Sequence, residues 1–115
     1  MHQPNFFEKQ TKPQALAAEQ LVLYALGEFQ ARGKVLADRE LPLDRLRGAL
    51  RRAAETFEVE ELTDEQIAQT LNTLGAHVRR VPAFVAKHPY RVTVQRELAE
   101  HALQVYRERD KVTLK

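Results

Sequence analysis

Apolar residues recur at spacings of three and four along two segments in the middle of the chain, which predicts two amphipathic helices. Pro42 precedes the first segment and suits the first turn of a helix, where a missing backbone N–H is not needed. Thr63 and Gln66 fit a Thr-x-x-Gln capping box at the start of the second, and Gly75 fits a left-handed cap at its end. The apolar positions are Leu43, Leu46, Leu50, Ala53 and Phe57 in the first segment and Ile67, Leu71 and Leu74 in the second.

Two further helices are predicted nearer the ends of the chain. One begins just after Pro13 and runs to about Arg32, with apolar residues on more than one face, as expected of a helix in the centre of a small core. The other runs from about Gln95 to Arg109 and has an apolar stripe wide enough to meet both its own core and another chain. The stripe residues that predict a homodimer are Leu98, Ala102, Leu103 and Tyr106.

Short segments rich in β-branched residues follow Gly75. Residues 76–81 and 90–94 predict an antiparallel hairpin with a tip from Pro82 to Pro89, and residues 35–37 predict one more brief strand. The expected fold is therefore α+β and mostly helical, with four helices and a small antiparallel β-hairpin. One domain is expected at 14–109, between an irregular N-terminal arm at 1–13 and a frayed C-terminus at 110–115.

Charge changes sign sharply along the chain. Six carboxylates lie between Glu55 and Glu65 with no lysine or arginine among them, and no acid follows from Gln66 to Arg96. The net charge is only +2 in 115 residues. Any affinity for nucleic acid must therefore come from how the charges are arranged, and the acid-free stretch predicts one basic, phosphate-binding surface.

Residue types that are missing exclude several kinds of chemistry. The chain has no cysteine and no serine, which excludes disulfides, cysteine-ligated metals and the serine and cysteine nucleophiles. Its four glycines are isolated, so there is no glycine-rich phosphate loop. We therefore expect no enzyme activity, no cofactor and no metal. The longest apolar run, Leu21 to Leu26, is too short to cross a membrane, and we expect a cytoplasmic protein.

The order helix, short strand, helix, helix, hairpin, helix resembles the winged helix-turn-helix family over roughly residues 15–94. In that family the third helix lies in the DNA major groove and the hairpin, or wing, contacts the backbone. The resemblance implies duplex DNA binding and a role in transcription regulation. It places Gln66, Gln69, Thr70 and Thr73 at the bases, and Arg79, Arg80, Lys87, His88 and Arg91 at the phosphates.

Two alternatives remain open. In a plain helix-turn-helix register, Asn72 would be the left-handed turn residue and the recognition helix would run from Leu74 to about Ala83. Alternatively, the chain is a protein-interaction module or a small subunit of a larger assembly. Such a module would use the last helix, the pair Phe6-Phe7 or the acidic segment 55–65.

Overall fold

The computed structural model describes residues 3–82 and 90–114, with side chains for 17–82 and 90–109. Within these residues the chain forms four α-helices and three strands. They are α1 (Gln3–Ala31), β1 (Glu40–Pro42), α2 (Arg47–Phe57), α3 (Asp64–Leu74), β2 (His77–Arg80), β3 (Tyr90–Thr93) and α4 (Arg96–Leu114). A 3₁₀ turn over Leu43–Leu46 leads into α2. The predicted class, mostly helical α+β, is confirmed.

The caps of α3 agree with the sequence pattern, but Pro42 does not lie in the first turn of α2, because it ends β1 and α2 begins at Arg47. Pro42 has φ −64° and precedes the 3₁₀ turn. The backbone N–H of Gln66 donates to the Thr63 hydroxyl (3.1 Å) and that of Thr63 donates to the Gln66 side chain (2.9 Å), which completes the capping box. Gly75 ends α3 with φ 105°, a conformation that other residues adopt only at a cost.

The two outer helices are longer than predicted. Helix α1 begins at Gln3 instead of after Pro13, so the segment expected to be an irregular arm is helical. Pro4 falls in the first turn, where a backbone N–H has no acceptor within the helix, and α1 continues through Pro13. Helix α4 continues to Leu114, through most of the segment expected to be frayed.

The strand predicted at 35–37 is wrong. Strand β1 lies at Glu40–Pro42, and Ala37 makes only an isolated bridge to Val94. Asp38 turns the chain here with φ 58°, and its N–H donates to the Val94 carbonyl (2.7 Å). Burial explains the shift, because Leu41 of β1 lies opposite the buried Val92, whereas Val35 is 60% exposed.

The predicted hairpin is present and becomes a three-stranded antiparallel sheet with order β1-β3-β2. Leu41, Val92 and Val78 are register partners and share the face of the sheet that meets the core. The plain helix-turn-helix register is wrong, because His77–Arg80 is a strand and the left-handed residue is Gly75, whereas Asn72 lies inside α3. The hairpin tip, with Lys87 and His88, lies outside the described residues.

Helix α1 is the centre of the core and packs against α2, α3 and, most extensively, α4. The largest fully buried side chains come from helices, sheet and connections alike: Val22, Leu26, Leu46, Leu71, Val92 and Val94. None of the helices in the described ranges is long and apolar enough to cross a membrane.

Candidate nucleic-acid interface

The outward face of α3 carries the four polar residues that the sequence predicts at the bases. Ile67, Ala68 and Leu71 are buried and anchor the opposite face of the helix. On the outward face, Gln66, Gln69 and Thr73 are exposed and Thr70 is half-buried. The predicted division of α3 into a core face and a polar face is therefore correct, because both faces follow from the helical period.

Three of these four side chains already make hydrogen bonds within α3. Gln66 accepts from the Thr63 backbone in the capping box. The Thr70 hydroxyl donates to the Gln66 carbonyl (2.8 Å), and the Thr73 hydroxyl donates to the Gln69 carbonyl (3.0 Å). The Gln69 side chain makes no hydrogen bond to any described residue. Gln69 is therefore the side chain best able to offer a paired donor and acceptor to a base edge.

Acidic residues at the start of α3 are partly offset by arginines of α2. Arg47 donates through Nη2 to Asp64 Oδ1, and this hydrogen bond raises the pKa of Arg47. Arg51 Nε lies 3.5 Å from Glu61 Oε2. Two of the six carboxylates between residues 55 and 65 thus have a cationic neighbour, which lowers the negative charge around the N-terminus of α3.

The hairpin arginines lie on opposite faces of the sheet. Arg79 and Arg91 are direct register partners on β2 and β3, and Arg80 is the partner of Tyr90. Because side chains alternate along a strand, Arg79 and Arg91 share the outer face, whereas Arg80 and Tyr90 lie on the face that Val78 and Val92 turn towards the core, where Arg80 is exposed. The prediction of one basic surface is therefore wrong for these arginines, which are divided between two faces of the sheet. The Arg80 guanidinium lies over the Tyr90 ring, 5.7 Å from its centroid.

Arg79 is held by Glu40, a residue that the sequence pattern did not single out. Arg79 Nε and Nη2 each donate to a Glu40 carboxylate oxygen at 3.0 Å. The hydrogen bond from Arg79 lowers the pKa of the Glu40 carboxyl, and the charges of Arg79, Arg91 and His77 act in the same direction. The pair crosses from β1 to β2 over the central strand. Only the strand order β1-β3-β2 reveals it, because 39 residues separate the two in sequence.

The other predicted phosphate contacts differ in how accessible they are. Arg91 is half-buried and donates through Nη1 to the Tyr90 carbonyl (3.4 Å). Arg80 is exposed and forms no ion pair with any described residue. Arg80 is therefore the hairpin cation most available to a phosphate, while Lys87 and His88 lie outside the described residues.

The residues predicted to form a dimer interface on α4 pack largely within this chain. Leu98 and Ala102 are buried in its own core against α1, so they offer no surface to a second copy. Leu103 and Tyr106 are half-buried, and the Tyr106 ring packs edge-on against Tyr24 with centroids 5.0 Å apart. The wide apolar stripe of α4 packs closely against α1. The helical period alone does not show whether such a stripe meets its own core or another chain.

Within the parts of the chain that the structure describes, no group of three or more histidine, cysteine, aspartate or glutamate side chains is arranged to hold a metal ion. Comparison with known proteins adds no relationship. No family model, no curated protein and no solved structure matches this chain.

Proposed function

We propose that this chain is a non-enzymatic winged-helix domain that binds duplex DNA, with α3 facing the major groove and the β2–β3 hairpin facing the backbone. The observation that carries the proposal is the succession of α3 and a hairpin in a sheet of order β1-β3-β2. Only two residues separate the polar helix from the first arginine-bearing strand. A domain of this kind would serve as a transcription regulator.

The roles of individual residues follow from their surroundings. Gln69 would contact base edges, because it is the one of the four side chains predicted at the bases that makes no hydrogen bond to a described residue. Arg80 would contact phosphate, with Arg91 as a second cation on the other face of the hairpin. Arg79 would contribute less, because Glu40 competes with phosphate for its guanidinium.

The test is fluorescence anisotropy with a labelled random-sequence duplex at about 50 and 200 mM salt. Each neutralised phosphate releases counterions, so about four contacts predict a loss of affinity of about a hundredfold across this range. Arg80→Glu should weaken binding about tenfold and reduce the salt slope by about 1. Arg107→Glu, on α4, changes the net charge equally and should alter affinity less than about threefold.

Glu40→Gln tests the same proposal in the opposite direction. It releases Arg79 from its carboxylate partner, so duplex binding should tighten severalfold and the salt slope should steepen by about 1. Absence of duplex binding at 50 mM salt would contradict the proposal. Equal losses for the Arg80 and Arg107 variants would also contradict it, because only net charge would then matter.

A further inference from the structure

An open groove of about 660 Å³ lies between α1 and α3, bordered by the α2–α3 connection. We call it the α1–α3 groove. The polar face of α3, from Gln66 to Thr73, forms one side, and the segment of α1 from Ala17 to Leu21 forms the other. Its apolar lining consists of Ala17, Ala18, Leu21, Phe57, Val59 and Leu62.

Four of the eight side chains that line the α1–α3 groove from the two helices are small. Helix α1 contributes Ala17 and Ala18, and helix α3 contributes Thr70 and Thr73. Such small residues leave room for another backbone to approach. Along α3 the lining extends over eight residues, or roughly 10 Å, which is two helical turns.

One apolar side chain is exposed at the edge of this groove. Val59 is 50% exposed, whereas most large apolar residues of the described chain are buried. Its backbone N–H donates to the Ala54 carbonyl (3.0 Å), and Glu58 before it adopts a left-handed conformation with φ 58°. This turn at the end of α2 fixes the backbone of Val59. The C-terminal cap of α2 therefore determines that the Val59 side chain is exposed.

Two carboxylates on different elements give the α1–α3 groove a negative charge. Glu19 of α1 and Glu60 of the α2–α3 connection both line it, and neither forms an ion pair with a described residue. The complementary occupant is apolar on one side and cationic at its margins.

We propose that the α1–α3 groove binds an amphipathic α-helix of a partner protein, with apolar side chains at positions i, i+4 and i+7 and lysine or arginine beside them. Three such anchors span eight residues, which is the length of the α3 side of the groove from Gln66 to Thr73. The aliphatic parts of lysine and arginine side chains of the partner helix would cover Val59, while their charged groups reach Glu19 and Glu60.

Binding of such a helix does not depend on the proposed affinity for DNA. The two are linked, however, because Gln69 and Thr73 border the groove and also belong to the face of α3 proposed to meet the duplex. A helix seated in the groove would therefore exclude DNA from α3, which makes the partner a competitor of the duplex.

The test uses two fluorescein-labelled 16-residue peptides on the intact chain without DNA. Both carry leucine at i, i+4 and i+7 on an alanine and glutamine background, and they differ only in having lysine or glutamate beside the leucines. We expect saturable anisotropy binding of the lysine peptide and at least tenfold weaker binding of the glutamate peptide. Glu19→Gln combined with Glu60→Gln should weaken the lysine peptide about tenfold.

Val35 provides the matched control, because it is the other strongly exposed valine of the described chain, at 60%, and it does not line the groove. Val59→Gln should weaken the lysine peptide at least fivefold and Val35→Gln less than twofold, with unchanged circular dichroism for both. Arg80→Glu, which tests DNA binding, should not weaken the peptide. No saturable binding, equal binding of both peptides, or equal losses at Val35 and Val59 would overturn the proposal.

Discussion

Helix α1 presents a closed side to α4 and an open side to α3. On the closed side, Gly27 lies so near α4 that a methyl group in place of its hydrogen would overlap the Ala102 carbonyl oxygen and the Tyr106 Cβ. On the open side, a groove of about 660 Å³ separates α1 from the polar face of α3. One helix thus serves both as the main support of the core and as one side of an open groove.

Small residues occur on both sides of α1, so small size alone does not bring helices together. What distinguishes the closed side is a polar link that accompanies the close contact. Gln30 Nε2 donates to the Ala99 carbonyl of α4 (2.7 Å) as well as to the Leu26 carbonyl of α1 (3.3 Å). On the open side, Phe57 at the end of α2 and Val59 and Leu62 of the α2–α3 connection line the groove between α1 and α3.

Substitution at Gly27 should disrupt the contact between α1 and α4, and we expect it to lower the free energy of unfolding more than the other changes. Gly27→Ala gains helix propensity, but backbone would have to move, so we expect a net loss of about 2–3 kcal/mol and a fall in Tm of about 10 °C. Gly48→Ala is the matched control, because its Cβ would meet only the flexible end of Arg52 at 3.5 Å. It should gain about 0.5–1 kcal/mol. Equal Tm changes for both variants would refute the close contact.

Gln30→Glu tests the polar link between α1 and α4. The carboxylate cannot donate to the Ala99 carbonyl, so we expect a loss of about 2 kcal/mol at pH 7. The new carboxyl should have a raised pKa in the folded state, because its neutral form alone can donate there. Stability should therefore recover as pH falls towards 4 and decline as pH rises through that pKa. Urea unfolding at both pH values measures this, with Gln20→Glu on the exposed surface as control.

The ion pair between Glu28 of α1 and Arg52 of α2 should contribute less to stability than the Gln30 hydrogen bond. Arg52 Nε donates to both carboxylate oxygens of Glu28, at 2.8 and 3.0 Å, and the Glu28 side chain is only 13% exposed. A double-mutant cycle with Glu28→Gln and Arg52→Met should give a coupling of about 1 kcal/mol that falls in high salt. If the changes in free energy of unfolding for the two single substitutions were strictly additive, the ion pair would make no measurable contribution to stability.

The smallest effect is expected on the open side. Ala17→Leu adds apolar volume towards the α1–α3 groove, where there is room, so unfolding free energy should change by less than about 0.5 kcal/mol. The same change at the closed side, Ala102→Leu, should cost about 2 kcal/mol through overpacking. Thermal unfolding of the two variants measures the contrast directly. A large loss for Ala17→Leu would mean that the groove is not open in solution.

The candidate surface was only partly predictable from the sequence. The polar face of α3 followed from the period of its buried residues, and the hairpin followed from its β-branched segments. The pairing of Arg79 with Glu40 was not foreseeable, because it depends on a strand order that joins distant segments. Nor was the burial of Leu98 and Ala102, since the same apolar stripe fits an internal contact or a dimer.

Three local features of this protein can be inferred from neighbouring residues alone: the capping box at Thr63, the left-handed end of α3 at Gly75 and the alternation along β3. Each depends on residues within a few positions of one another, so local backbone chemistry decides it. Tertiary structure alone decided where β1 lies, which arginines are already paired and which side of α1 is open. Those outcomes depend on packing between segments far apart in the chain, because side chains from several segments must together fill the core and pair their charges.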